Sequence, residues 1–295
     1  MSDPAAGPVV VIGANGLVGA RVCAALAERG ARVRAVVRRP GTAPVRGGVE
    51  ELVGDFTAAA FAASAVADAQ AVVTTVHPMG SDRATQQRIG VEGTTTVARA
   101  AAAAGLQRLV HVSTGAVYDR SPGVGDVDET SALVGDDADD YAVTKRDTDR
   151  SLAGVDGLTR VLLRPPAILG PGPTSVWNTL RPAAIRADER ARHAVAGQTF
   201  PWVHVDDLAR FAASLVLGAP GPEAGGCTPV NVVAAPATVQ DYHRAVTRAL
   251  GVEPVWDDRP AWTGRLLADR AHAWGWAPTI DLAGALAEIE AGLRG

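Results

Sequence analysis

Val9-Val10-Val11-Ile12 runs straight into Gly13-Ala14-Asn15-Gly16-Leu17-Val18-Gly19, and this junction restricts the folds open to the chain. Four consecutive apolar residues suit a central parallel strand covered on both faces. Glycines directly behind it let the backbone turn tightly and open a helix, whose free N–H groups and positive dipole end suit a pyrophosphate. A tight strand-to-helix turn without a ligand is the alternative, and the place of the motif after the first strand weighs against it. A dinucleotide held by Gly13, Asn15, Gly16, Leu17, Val18 and Gly19 is therefore expected.

The remaining pattern repeats the alternation. A helix from about 16 to 29 leads to a strand at Val33–Val37, and shorter strands are expected at Leu52-Val53 and Ala71–Val73. A single long helix from Arg83 to Ala104 should stop at Gly105. Strands at Leu109–Val112 and Val161–Leu163 flank a helix that carries Tyr141. The expected fold is α/β, a Rossmann-type doubly wound parallel sheet with a smaller C-terminal substrate lobe. Prolines after Gly170 break the rhythm. The boundaries read as 1–170 for the dinucleotide domain with a return at about 204–235, and 171–203 plus 236–295 for the lobe. Val124 to Asp140, rich in Asp and Gly, reads as a loop over the site.

Composition excludes several function classes. The chain has 295 residues, 47% hydrophobic and 20% charged, the profile of a soluble globular protein. A net charge of -4 argues against nucleic acid as a partner. No charge-free apolar run reaches membrane-helix length. Cys23 and Cys227 are the two cysteines, so no disulfide framework is implied and a reducing cytoplasm fits. Met1-Ser2-Asp3-Pro4 lacks a signal-peptide layout. Metal-ligand spacings are absent from the sequence, and no metal is expected.

The end of the second strand bears on which dinucleotide binds. A carboxylate there would bond a ribose 2′-hydroxyl and repel a 2′-phosphate. Val37 is followed instead by Arg38 and Arg39, whose guanidinium groups can pair with a phosphate. NADP(H) is the expected cofactor, with NAD(H) the alternative if the two arginines are only solvated. Downstream, Tyr141 and Lys145 stand four apart on a helix and so share a face. There the ammonium of Lys145 can favour the phenolate of Tyr141 and lower its pKa.

Together these motifs resemble the extended short-chain dehydrogenase/reductases, the NAD(P)-dependent epimerase/dehydratase family. The resemblance rests on the glycine turn, Gly54-Asp55-Phe56, Val91-Glu92-Gly93-Thr94 and His111-Val112-Ser113-Thr114-Gly115-Ala116-Val117-Tyr118. It extends through Tyr141-Ala-Val-Thr-Lys145, Leu163-Arg164-Pro165, Gly170-Pro171-Gly172, Trp202 to Ala209, and the closing Leu267–Arg270 and Trp274–Pro278. It implies Thr114, Tyr141 and Lys145 as the catalytic residues. Lys145 would also bond the nicotinamide ribose. Asp55 would contact the adenine, and Phe56, Thr74, Thr75, Val76, Ser113, Tyr141, Lys145 and Pro165 would complete the cofactor's surroundings with the glycine turn, Arg38 and Arg39. The family also dimerises through the helices at 83–104 and 139–153, so the resemblance implies a homodimer.

Departures from the family bear on the substrate. Ala167 stands where nucleotide-sugar epimerases keep an Asn, and Phe200 where they place a diphosphate-clamping Arg. Gly115-Ala116 replaces the Asp-Glu of dehydratases, and Gly90 replaces another family Asn. A buried diphosphate needs charged partners, so a nucleotide-diphosphate substrate is disfavoured. Ala167, Trp177, Phe200 and Trp202, with His77, are the candidate substrate residues; the aromatic ones serve equally as lobe core, and His77 as a loop histidine. Arg181, Arg186, Arg190, Arg192 and His193 read as a solvated face, and His204 as a structural hydrogen-bonder.

The expected activity is reduction of a ketone or aldehyde on a weakly polar small molecule. Two alternatives stay open: a nucleotide-sugar epimerase with tightly bound NAD, and a non-catalytic NADP-binding sensor or scaffold.

Overall fold

The first apolar run forms strand β1, Val9–Ile12, with all four residues buried. The structure is a computed structural model that describes residues 7–294; Met1-Ser2-Asp3-Pro4 lies outside the described residues. Strands β2 (Val33–Val37), β3 (Val49–Val53), β4 (Ala71–Thr74), β5 (Arg108–Val112) and β6 (Thr159–Arg164) follow in the chain. Strands β7 (Ala167–Leu169), β8 (His193–Ala194), β9 (Trp202–His204), β10 (Cys227–Asn231) and β11 (Val255–Trp256) come later. The main sheet has seven strands in the order β10-β6-β5-β4-β1-β2-β3. Its ladders from β3 to β6 are parallel, with Val9 paired to both Val33 and Ala71. This is the doubly wound arrangement that alternating strands and helices require.

Helices α1 (Leu17–Glu28), α2 (Ala59–Val66), α3 (Arg83–Gln86), α4 (Thr94–Ala103) and α5 (Asp140–Ala153) connect the parallel strands. The single helix expected from 83 to 104 is broken in character. Between α3 and α4, Gln87–Gly93 winds as a π-helix. Two glycines explain how this wider turn fits: a Cβ on Gly93 would lie 2.9 Å from the Phe56 ring, and one on Gly90 would lie 3.0 Å from His77 Nδ1. The helix ends where expected, and Gly105 takes a φ of 74° behind it.

Helix α5 has strong local reasons to form. The Asp139 side chain accepts from the Ala142 N–H at 3.0 Å, Asp140 sits in the first turn and Arg150 in the last.

The chain divides into two units. Among the described residues, the first comprises 7–117, 133–164 and 209–230; the second comprises 118–132, 165–208 and 231–294. Residues 118–132, which the sequence reading left in the first domain, group with the second unit for a nonlocal reason. The Tyr118 hydroxyl donates to Asn231 Oδ1 at 2.8 Å, Val127 bridges Leu266, and Arg265 pairs with Asp126. The first unit's core is formed by apolar residues such as Val10, Ile12, Val72, Leu109 and Leu162, packed with Val97, Ala98 and Ala101 of α4.

The second unit holds α6 (Arg181–Ala187), α8 (Val239–Leu250), α9 (Asp269–Ala273) and α10 (Leu282–Arg294); helix α7 (Val205–Val216) begins in it. A capping box between Thr238 and Asp241 starts α8, and Gly251 in the left-handed region ends it. Its core packs Phe200, Trp202, Tyr242 and Val246 against Ala285 and Ile289 of α10.

Candidate active site

The glycine turn follows from steric demand. Gly13 has a φ of 84°, and a Cβ there would lie 2.5 Å from Val76 Cγ2. A Cβ on Gly19 would lie 2.1 Å from the Gly13 carbonyl oxygen, so the first turn of α1 packs directly on the loop. Gly16 precedes α1 without a side-chain cap, and no acidic residue occupies the first turn. The N–H groups there therefore have no carboxylate or hydroxyl from the protein itself as a cap, the condition under which a helix N-terminus takes a phosphate. These residues fit a dinucleotide.

Around that turn, Asn15 Nδ2 lies 3.4 Å from Thr42 Oγ1, and Thr75 Oγ1 donates to the Ile12 carbonyl at 3.0 Å. Arg38 and Arg39 are exposed beyond β2. Asp55 Oδ1 accepts from the Thr57 hydroxyl and N–H at 2.7 and 3.0 Å. Those bonds, then the charges of Arg38 and Arg88, hold its carboxyl below the usual range. Arg88, on the π-helical segment, is a cation near this position that the sequence reading overlooked. Phe56 is buried in the first unit's core.

Tyr141 and Lys145 share a face of α5, as their spacing requires. Lys145 is buried, and its Nζ donates to the Val112 carbonyl at 2.7 Å. Burial pulls its pKa down to about 8, opposed by Asp149. The Thr114 hydroxyl accepts from the Ala116 N–H at 3.1 Å and acts on the nearby Tyr141 phenol. The expected depression of the phenol's pKa is reversed. Burial pushes it upward and the Asp139 charge adds to the rise, with Thr114 acting against it; the Lys145 ammonium is turned onto a backbone carbonyl.

A second ring of polar residues surrounds this trio. The His77 ring stands edge-on to Tyr141, with centroids 5.0 Å apart and planes at 83°. Gln86 Nε2 donates to the Ser81 carbonyl at 2.8 Å, which turns Gln86 Oε1 toward His77 Nε2, also at 2.8 Å. That orientation makes His77 Nε2 the donor and leaves Nδ1 buried without a partner. Thr144 Oγ1 lies 3.0 Å from the same Gln86 oxygen. Burial and the charge of Lys145 lower the His77 pKa to about 3. His111 Nδ1 lies 2.8 Å from Thr74 Oγ1, and burial keeps this ring neutral as well. Behind Lys145, Arg164 Nε donates to Asp149 Oδ2 at 2.9 Å inside the unit.

Gln86, Thr144 and Asp149 escaped the sequence reading because nothing local marks them. One sequence signal was available for Lys145: of the 28 Lys and Arg residues it is the only lysine.

The candidate substrate residues Ala167, Trp177, Phe200 and Trp202 belong to the second unit, as does Pro165. Phe200 stacks on Tyr242 at 4.9 Å and meets Trp177 at 5.0 Å, while Trp202 is fully buried and donates to the Ala235 carbonyl. Phe200 and Trp202 are lobe core; Ala167 and Trp177 keep partial exposure. Arg181 lies over the Trp177 ring and Arg192 donates to the Ile185 carbonyl, so the basic segment is partly tied down. His193 meets Asp257 at 2.8 Å. His204 Nε2 meets Glu288 at 3.1 Å, and its Nδ1 accepts from the Asp206 N–H. Among the described residues no His, Cys, Asp and Glu cluster could hold a metal, and no helix is long and apolar enough to cross a membrane.

A parallel sheet in this order, an uncapped glycine turn and a Tyr-Lys helix are the marks of a dinucleotide-dependent enzyme. The chain belongs to the NAD dependent epimerase/dehydratase family, whose model matches residues 9–223. It is 31% identical over 186 residues to a 3 beta-hydroxysteroid dehydrogenase/Delta 5-->4-isomerase of Mycobacterium tuberculosis, covering 59% of this chain and 50% of that protein. The chain thus spans about half the length of that relative. It is 30% identical over 302 residues to a 3-diazoavenalumate denitrifying reductase of a Streptomyces species, covering 92% of this chain and 96% of the other. In fold it is similar to a UDP-glucose 4-epimerase of Thermotoga maritima, with a TM-score of 0.79 at 18% identity over 97% of this chain and 98% of that one.

Proposed function

We propose that this chain is an NADP(H)-dependent oxidoreductase that reduces a ketone or aldehyde on an uncharged or weakly polar small molecule. What supports the reading is that Tyr141 and a buried Lys145, the chain's sole lysine, stand four residues apart on α5 in the unit that also holds Thr114, whose hydroxyl acts on the Tyr141 phenol. A bound nicotinamide supplies the hydride that a carbonyl carbon accepts. The protein's part is the proton. Burial keeps the Tyr141 phenol in its acid form at neutral pH, ready to protonate the developing alkoxide. Thr114 orients that oxygen, its hydroxyl already opposing the rise in the phenol's pKa, and Lys145 keeps a buried positive charge on the same helix face.

Reduction is favoured over epimerisation because Phe200, at the position of the diphosphate clamp, is packed into the lobe core and brings no charge. Both relatives described above carry the names of redox enzymes, and one is matched along almost its whole length. The preference for NADP(H) rests on Arg38 and Arg39 beyond a strand that ends without a carboxylate.

The test is NADPH consumption by the purified protein against steroid ketones and aryl aldehydes, with NADH and Tyr141→Phe as controls. Consumption requiring NADPH and Tyr141 supports the reading. No consumption with any carbonyl, together with interconversion of a UDP-sugar, overturns it in favour of an epimerase.

A further inference from the structure

Lys145 lies in a setting hostile to its charge. It is 3% exposed, its one protein acceptor is the Val112 carbonyl, and every titratable neighbour but one offers it no counter-charge. From the segment after β4 comes His77, and from β5 His111; both are kept neutral by burial and by the ammonium itself. From its own helix comes Tyr141, held as a neutral phenol. The exception is Asp149, four residues further along α5 and therefore on the same face.

Asp149 is 3% exposed and fixed from behind by Arg164 of β6, whose Nε donates to Oδ2 at 2.9 Å. Arg164 is 5% exposed, so this ion pair lies out of water. Ser113, at the end of β5, also acts on the carboxylate, yet neither Ser113 Oγ nor Asp149 Oδ1 closes a hydrogen bond of good geometry. Cys227 of β10 is the remaining titratable group near Asp149; burial pushes its thiol up, so it too is neutral. Burial pushes the Asp149 carboxyl up, and the charge of Arg164, then Ser113 and Lys145, work against that rise. One oxygen is bonded to the guanidinium, the other has no hydrogen-bond partner, and the four-residue spacing puts Asp149 on the helix face of Lys145.

We propose that Asp149 is a positioning residue of the Tyr141–Lys145 site: the buried counter-charge that holds Lys145 as an ammonium, itself anchored by Arg164. Without it, Lys145 would stand among neutral rings with a carbonyl for its partner, and a buried ammonium so placed loses its proton. The residue touches neither cofactor nor substrate on this view. Its effect on the reaction rests on the function proposed above; its effect on Lys145 does not.

The chain's single lysine makes a direct test practical. Protein grown with side-chain-labelled lysine gives one lysine resonance, whose titration reads the Lys145 ammonium without any turnover. The wild-type midpoint is expected at about 8. In Asp149→Asn it should fall by about 1 to 3 units, the range for loss of a close opposite charge. An unchanged or raised midpoint overturns the proposal. Because Asp149→Asn strands Arg164, that variant can fail to fold; Asp149→Asn/Arg164→Gln exchanges the ion pair for neutral amides, and Lys145 must again titrate below the wild type.

The kinetic arm uses whatever carbonyl the wild type reduces. The alkaline limb of kcat should move down with the midpoint, and a limb that stays while the midpoint moves overturns the link to the reaction. If nothing is reduced, the proposed activity fails while the titration still decides the role of Asp149.

Discussion

Gly19→Ala should destabilise the protein although it adds a better helix former. Within a helix, alanine over glycine is worth at most about 0.5–1 kcal/mol of stability by propensity, and Gly19 lies in the first turn of α1. Steric demand runs the other way. The new Cβ would lie 2.1 Å from the Gly13 carbonyl oxygen, 2.8 Å from its carbonyl carbon and 3.0 Å from Ala14 Cα. All three are backbone atoms of the turn, so no side chain can rotate aside, and α1 must back away from the loop. Overpacking of this kind costs about 1–3 kcal/mol, occasionally more. The net expectation is a loss of up to about 2.5 kcal/mol, read as a lower urea midpoint with an unchanged m-value. The same displacement carries the N–H groups of α1 away from the turn, so NADPH titration should give a Kd raised about tenfold or more, 1.4 kcal/mol. An alanine variant more stable than the wild type, with unaltered NADPH affinity, would refute the steric reasoning.

Tyr141→Phe should lower kcat by about 10²–10⁴, with the NADPH Kd within about twofold of wild type in a fluorescence titration. Arg38→Ala should cost NADPH about 1.5–3 kcal/mol of binding, the worth of hydrogen bonds to a charged group, while leaving NADH affinity nearly unchanged; equal losses for both cofactors would count against the 2′-phosphate role. Lys145 has a folded pKa of about 8, below its ordinary 10.5, so between those values the unfolded chain binds more protons. Stability should therefore rise as pH increases from about 8 to 10.5, by an amount on the order of 3 kcal/mol, and Lys145→Met should abolish that rise in urea melts across the range. His77, lowered to about 3, works at the acid end. Its neutral form is the one the fold accepts, so stability should fall as pH drops below 6.5, and His77→Gln should flatten that limb.

Local pattern carried the sheet domain well. The β1–turn–α1 junction, the alternation through β6 and the shared face of Tyr141 and Lys145 all depend on residues close in sequence, where period and steric demand act directly. What depends on partners far along the chain was not legible. Residues 118–132 group with the second unit through anchors, Asn231, Arg265 and Leu266, that lie more than a hundred residues away. The π-helical turn at Gln87–Gly93 needed knowledge of what packs on Gly90 and Gly93, namely His77 and Phe56. The direction of the Tyr141 shift was misjudged because four-residue spacing fixes a face and not the aim of a flexible ammonium. Phe200 left two readings open in the sequence, and its stacking on Tyr242 placed it in the core.

A chain whose surface cations are all arginines has a practical chemistry of its own. Amine-directed reagents, from acylating labels to aldehyde cross-linkers, find one side-chain target in the whole sequence, and it is enclosed beside Tyr141. Apart from the chain's α-amino group, any stoichiometric loss of primary amine counts Lys145 side chains one by one. A cofactor that shields Lys145 should slow that loss, so protection kinetics would measure occupancy in a mixture where the substrate is still unknown.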